Sequence, residues 1–177
     1  MSDAPSLYAD SEPLLPEPFA GWFAARGWRP RPHQLALLEA SSRRQSTLLI
    51  APTGAGKTLA GFLPALTELA ARGKPKPGEV RRGLHTLYIS PLKALAVDIE
   101  RNLGRPVEEM ALPVRIETRT GDTPQHKRQR QRTDPPDILL TTPEQVSLLI
   151  ANGEAERFFR DLRFVIFDEL HSLVTSK

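Results

Sequence analysis

Two stretches hold residues whose types and spacing could do chemistry together: APTGAGKT at 51–58 and DELH at 168–171. In the first, Gly54 and Gly56 let the backbone curl until successive N–H groups, those of Thr53 and Ala55 among them, point at one anion. Lys57 brings a cation to the outer phosphates, and the Thr58 hydroxyl can ligate Mg2+. The strict form of this string begins with glycine, where this chain has Ala51. That position needs less conformational freedom than the later ones, so the departure matters little. The ligand implied is a nucleoside triphosphate with its Mg2+.

The second stretch ends an apolar run, FVIF, with two adjacent carboxylates. Near a core they are costly unless a cation meets them. Asp168 suits Mg2+ held jointly with Thr58, and Glu169 is placed to polarise an attacking water as general base. His171 reads either as a structural histidine or as a coupling residue. A metal role is disfavoured, because His33, His85 and His126 form no cluster with it in sequence.

These strings need elements to hold them. Apolar runs at 47–51, 85–90, 114–118, 137–141 and 164–168 read as strands, the last of them fully buried. Helical spacing of leucines and other apolar residues predicts helices over 57–71 and 91–103, with a bend at Pro64 in the first. Two short helices are expected earlier, at EPFAGWFAARG and PHQLALLEASS, with Gly27 ending the first. Strands alternating with helices imply an α/β fold: a mainly parallel sheet with helices on both faces and ligands beyond the carboxyl ends of the strands. Residues 1–18 read as an acidic, Pro-rich lead-in and 19–177 as one domain, with a basic Pro/Gly-rich loop over 71–83.

Composition narrows the class. With 40% hydrophobic and 25% charged residues the chain reads as a soluble globular protein. The absence of cysteine excludes disulfides and thiolate metal sites and fits a reducing cytoplasm. The first 25 residues carry four acids and no Lys or Arg, which is no secretory signal. Net charge is +3, yet residues 115–132 alone hold six basic and two acidic side chains. That run is either a solvated helix face or a phosphate-contacting surface.

APTGAGKT, PLKALAVD, TTPEQ and DELH, in that order, resemble motifs I, Ia, Ib and II of the superfamily 2 DExH-box helicases. GWRPRPHQ, LYISPLKALAVDIERNL, RTGDTP and PPDILLTTPEQ resemble, more narrowly, the ligase-associated DExH-box DNA helicases, relatives of the Lhr group. The resemblance implies a RecA-like P-loop motor domain that binds ATP and Mg2+ and acts in DNA repair, with a functional link to an ATP-dependent DNA ligase. It implies that Gln34 reads the adenine and that Trp28 stands near the base or in the core. Pro91, Leu92 and Lys93, then Arg119, Thr120 and Gly121, then Thr141, Thr142 and Pro143 would contact a nucleic-acid backbone. Thr142 as N-cap and Pro143 as first helical residue would present N–H groups to a phosphate. DNA is the expected strand, with RNA left open.

In that family a second RecA-like domain supplies arginines to the γ-phosphate, and none of its motifs occurs in these 177 residues. The isolated chain is therefore expected to bind ATP and nucleic acid weakly, hydrolyse poorly and unwind nothing. The other readings are a non-catalytic ATP- or DNA-binding module, and a single-domain P-loop phosphotransferase.

Overall fold

In the computed structural model, which describes residues 15–52, 54–74, 83–151 and 153–175, the apolar runs and helical segments alternate largely as their spacing dictates. The chain divides into two compact units, one through Pro64 and the other from Ala65.

The first unit holds α1 (Phe19–Ala25), α2 (Pro32–Ser42) and the start of α3 (Lys57–Arg72). Phe19, Trp22 and Phe23 form the buried face of α1. Gly27 leaves the helix at φ +64°, a left-handed conformation that glycine takes without strain. Pro64 lies inside α3, which continues through it to Arg72. The strand expected at 47–51 does not form: the segment is irregular, and Leu48 and Ile50 are 68% and 86% exposed. A run of apolar residues becomes a strand only when another strand takes its backbone hydrogen bonds. No described strand pairs with this one.

The second unit is built on four strands: β1 (Thr86–Ile89), β2 (Ile116–Arg119), β3 (Ile138–Thr141) and β4 (Phe164–Phe167). All pair in parallel, in the order β2-β3-β1-β4. Between them run α4 (Lys93–Glu109), α5 (Gln125–Thr133), α6 (Pro143–Ile150) and α7 (Ala155–Phe159), and α8 (Leu170–Thr175) follows β4. Side chains alternate across the sheet. On one face Leu87, Ile89 and Leu139 pack with Leu149 of α6 and Phe158 of α7. Toward the other, Thr118 donates to Glu100 of α4 at 2.5 Å. Helices therefore cover both faces, as a parallel sheet requires. The basic loop expected over 71–83 falls mostly at 75–82, outside the described residues.

Two further expectations need correction here. The third apolar run is a strand over 116–119, not 114–118, so Arg119 ends a strand and does not begin a loop. The FVIF run is not fully buried: Val165 and Phe167 are 45% and 56% exposed. The cause is topological, since β4 comes last in the order of the described strands and pairs with β1 alone among them.

Candidate functional site

The four strands finish in register, Arg119 beside Thr141 beside Ile89 beside Phe167. At parallel-strand spacing the row measures about 14 Å from end to end. Every site residue expected in this unit lies on that row or just beyond it. Thr120 and Gly121 follow β2, Thr142 and Pro143 follow β3, Pro91 to Lys93 follow β1, and Asp168 and Glu169 follow β4.

At the acidic end, Asp168 is held from two sides. The Tyr88 hydroxyl, on the neighbouring strand β1, donates to its Oδ2 at 2.5 Å. The Glu169 backbone N–H donates to its Oδ1 at 3.0 Å. Tyr88 is only 2% exposed. Burial first, then the bond to Asp168, pushes its phenol far above the usual range, so it stays a donor. Each Asp168 oxygen keeps a lone pair for a further ligand. Glu169 sits at φ +47°, an unfavourable region for a residue with a Cβ. His171 Nδ1 is 3.4 Å from Glu169 Oε2, and both side chains are substantially exposed.

No group of three or more His, Cys, Asp or Glu able to cage a metal occurs among the described residues. One carboxylate with free lone pairs suits Mg2+, which is typically held by one or two carboxylates plus phosphate oxygens and water. The donor chemistry fits a phosphate-borne ion.

In the first unit, the phosphate loop has the backbone its sequence demands: Gly54 at φ +78° and Gly56 at φ +72°. α3 begins directly at Lys57, with Ala60 N–H bonded to Gly56 O at 3.0 Å. Ala55 is buried and Thr58 is exposed; Thr53 lies outside the described residues. Gln34 is packed against this loop, since a Cβ added to Gly56 would stand 3.4 Å from its Nε2. It is 3% exposed, and its Oε1 accepts the Arg31 N–H at 2.8 Å, bracing the start of α2. Trp28 is 56% exposed and meets Trp22 edge-on, so it lies on the surface and not in the core.

The loops expected to touch nucleic acid are tied to one another. Lys93 forms an ion pair with Asp122 of the 120–123 turn. Thr141 Oγ1 donates to Arg119 O at 2.8 Å, linking β3 to β2. Thr142 occupies the N-cap position of α6 with extended backbone and Pro143 follows as first residue. Its hydroxyl makes no capping bond, however; it donates to Glu144 and holds that carboxyl below its usual range. Arg119 departs most from expectation: its side chain is 2% exposed, and Nη1 donates to Arg128 O at 3.2 Å.

The DEAD/DEAH box helicase model matches residues 31–177. The chain belongs to the DEAD/DEAH box helicases. This helicase chain is 41% identical over 166 residues to the Lhr helicase/probable uracil glycosylase of Mycolicibacterium smegmatis, a match covering 88% of the chain and 11% of that protein. To the Lhr helicase/uracil glycosylase of Escherichia coli it is 38% identical, covering 100% of the chain and 12% of the relative. Among solved structures, M. smegmatis helicase Lhr bound to ssDNA and AMP-PNP matches with a TM-score of 0.72 at 40% identity, over 89% of this chain and 20% of that one. Helicase MrfA bound to DNA and AMPPNP matches with a TM-score of 0.76 at 27% identity, over 90% and 22%. The fold is the RecA-like fold of these Lhr-like helicases, and the chain spans roughly a tenth of the two curated relatives.

Sequence reasoning overlooked two residues at these strand ends. Tyr88 read only as part of an apolar strand, yet it grips Asp168 from 80 positions away. Arg128 read only as charge, yet its Nε donates to Thr123 O at 2.7 Å, and its Nη2 reaches Thr120 O at 3.3 Å and also Gly121 O. That guanidinium braces the turn after β2. A basic residue a few positions beyond a glycine-containing turn is a usable signal for such a clamp.

Proposed function

We propose that this chain is an ATP-binding motor domain of an ATP-dependent DNA helicase or translocase. The observation that carries the reading is the row of strand ends, which has the acidic pair at one end and the three strand-contact loops along the rest. The N–H groups of Thr53, Gly54 and Gly56 bind phosphate oxygens, that of Ala55 joins them by leaving the Pro52 carbonyl, Lys57 neutralises the outer phosphates, and Gln34 recognises the adenine. Thr58 and Asp168 each carry an oxygen suited to Mg2+, which would offset phosphate charge as it develops. Glu169 accepts the proton of a water whose oxygen attacks the γ-phosphorus, while the bond from that phosphorus to the β-bridging oxygen breaks and ADP leaves. Asp168 is kept oriented by Tyr88, and His171 couples the site to the rest of the motor.

Pro91, Leu92, Lys93, Thr120, Gly121, Thr141, Thr142 and Pro143 contact sugar and phosphate, with Arg119 behind them. Binding of that kind depends little on base sequence and strongly on salt. For Lys93 the contact exchanges Asp122 for a phosphate, a small cost for an exposed pair. DNA is favoured over RNA because the solved relatives were captured with DNA. The likeness to the ligase-associated branch supports a cytoplasmic role in DNA repair alongside an ATP-dependent ligase. A second RecA-like domain of the same protein completes the motor, so the 177 residues alone bind weakly and act as a binding module.

Phosphate release, measured with and without single-stranded DNA, tests this. The isolated chain should turn over slowly, and a longer protein supplying the second domain should be stimulated by DNA. Fast, DNA-stimulated turnover by the isolated chain would contradict the dependence on a second domain. No stimulation of the longer protein would contradict the motor reading itself.

A further inference from the structure

The basic run 115–132 divides into groups with different partners. Arg115 binds Asp134 and Arg130 binds Glu117. These are ordinary structural ion pairs. On the opposite flank, Gln125, Arg128, Gln129 and Arg132 share one face of α5 at helical spacing. With Arg119 from β2 and Leu148 from α6 they line a cleft of about 260 Å3.

No carboxylate lines that cleft. Arg119 lies in it almost wholly buried, with one bond to a carbonyl and its Nε without a partner. The acid two residues earlier on the same strand face, Glu117, is already taken by Arg130 and Gln131. Arg128 bonds carbonyls through Nε and Nη2 only. Three guanidiniums therefore line one cleft whose lining holds no carboxylate; Arg132 also borders a smaller adjoining cleft that Glu154 lines. Burial, then Arg132 and Arg128, weaken the hold of Arg119 on its proton. A buried cation in this position is stabilised strongly by an anion with several acceptor oxygens, and phosphate matches guanidinium geometry best.

We propose that the cleft between α5 and α6 is a phosphate subsite that holds one phosphodiester of the bound nucleic-acid strand between Arg119, Arg128 and Arg132. Gln125 and Gln129 add neutral amide donors, and the exposed Leu148 offers an apolar surface to the sugar. The subsite extends the strand-contact row past the turn after β2, onto the side of the sheet covered by α5. Arg119 then acts inward, from the cleft floor. The inference rests on the proposed nucleic-acid function, and its test separates the two.

The 177-residue chain is titrated with a labelled single-stranded DNA oligonucleotide at several salt concentrations, and separately with inorganic phosphate while the Arg119 Nε–H resonance is followed by NMR. Each phosphate contact on a single strand contributes about 0.7 to the slope of log K against log salt. Arg132→Gln should lower that slope by about 0.7 and weaken binding several-fold at low salt. Arg132→Lys should restore most of the slope, and Arg105→Gln, on the exposed side of α4, should leave it unchanged. The Arg119 Nε–H should shift on adding the oligonucleotide. Oligonucleotide binding with an unchanged slope in Arg132→Gln and a still Arg119 resonance overturns the subsite while leaving the nucleic-acid reading intact. A resonance moved by inorganic phosphate but not by the oligonucleotide overturns the phosphodiester assignment in favour of a free-anion site. Failure of the unaltered chain to bind the oligonucleotide under any salt condition overturns both readings.

Discussion

Replacing Tyr88 by Phe removes one oxygen and nothing else from the β1–β4 contact. The ring stays in a site that is 2% exposed, so packing is retained and the readout is the hydroxyl's hydrogen bonds: the 2.5 Å bond to Asp168 and a second one with Ser90, which the cycle below separates. Hydrogen bonds to charged groups contribute about 1.5–3 kcal/mol. Asp168 is only half-buried, so water can take the vacated place on Oδ2, and the lower end applies: about 1.5 kcal/mol. For a chain of this size that corresponds to a fall in Tm of about 3–6 °C. The bond itself is isolated by a double-mutant cycle with Asp168→Ala, which removes the acceptor, followed by circular dichroism during thermal unfolding. Tyr88→Phe should cost clearly less in the Asp168→Ala background, with a coupling energy of about 1 kcal/mol. A coupling below about 0.3 kcal/mol, the usual range for independent sites, would show that the phenol does not hold the carboxylate and that strand packing alone orients it.

The remaining expectations concern nucleotide, charge and pH. Lys57→Ala should abolish binding of a non-hydrolysable ATP analogue in calorimetry, whereas Glu169→Gln in a two-domain protein should bind normally and lose phosphate release. Glu117→Ala should lower stability by about 2–3 kcal/mol in urea unfolding, because the fully buried Gln131 amide loses its carboxylate; the Arg130 side, open to water, adds little. His85 is fully buried, and burial, then Arg72, hold its pKa below 6.5 despite the neighbouring Glu68. Below that pH the unfolded chain takes up a proton that the folded chain refuses, so stability falls as pH drops from 6.5 toward 5. His85→Gln should flatten that part of the Tm–pH curve, and a curve parallel to the unaltered chain would assign the loss elsewhere. Glu68 adds a second loss in more acidic solution: burial would raise its pKa, but bonds from Arg72 and His85 outweigh this and lower it.

Spacing made much of this molecule readable. The phosphate loop, the acidic pair and the alternation of strands and helices depend on local backbone needs, which single residues such as Gly54 and Gly56 announce. What stayed hidden depends on partners distant in sequence. The segment 47–51 has the composition of a strand, but pairing is not a property of a segment. FVIF has the composition of a central strand and comes last among the described strands, because strand order is set by the whole unit. Arg119 looked like a surface cation within a contact loop, and only the path of α5 explains why it is enclosed. Tyr88 gave no signal at all, since an apolar strand hides a phenol well.

The position of β4 has a consequence for the protein as a material. One side of the strand carries backbone donors and acceptors that no described strand takes up, beside Val165 and Phe167 side chains open to solvent. Such an edge is a template for further strands, including those of another molecule of the same chain. The strand is flanked by two charges, Arg163 and Asp168, and flanking charges generally oppose such stacking. Arg163 is drawn toward Glu68 at 3.4 Å, and Asp168 already has its two hydrogen-bond donors. Neutralising Asp168 would therefore remove one of the two charges beside this edge as well as the proposed Mg2+ ligand.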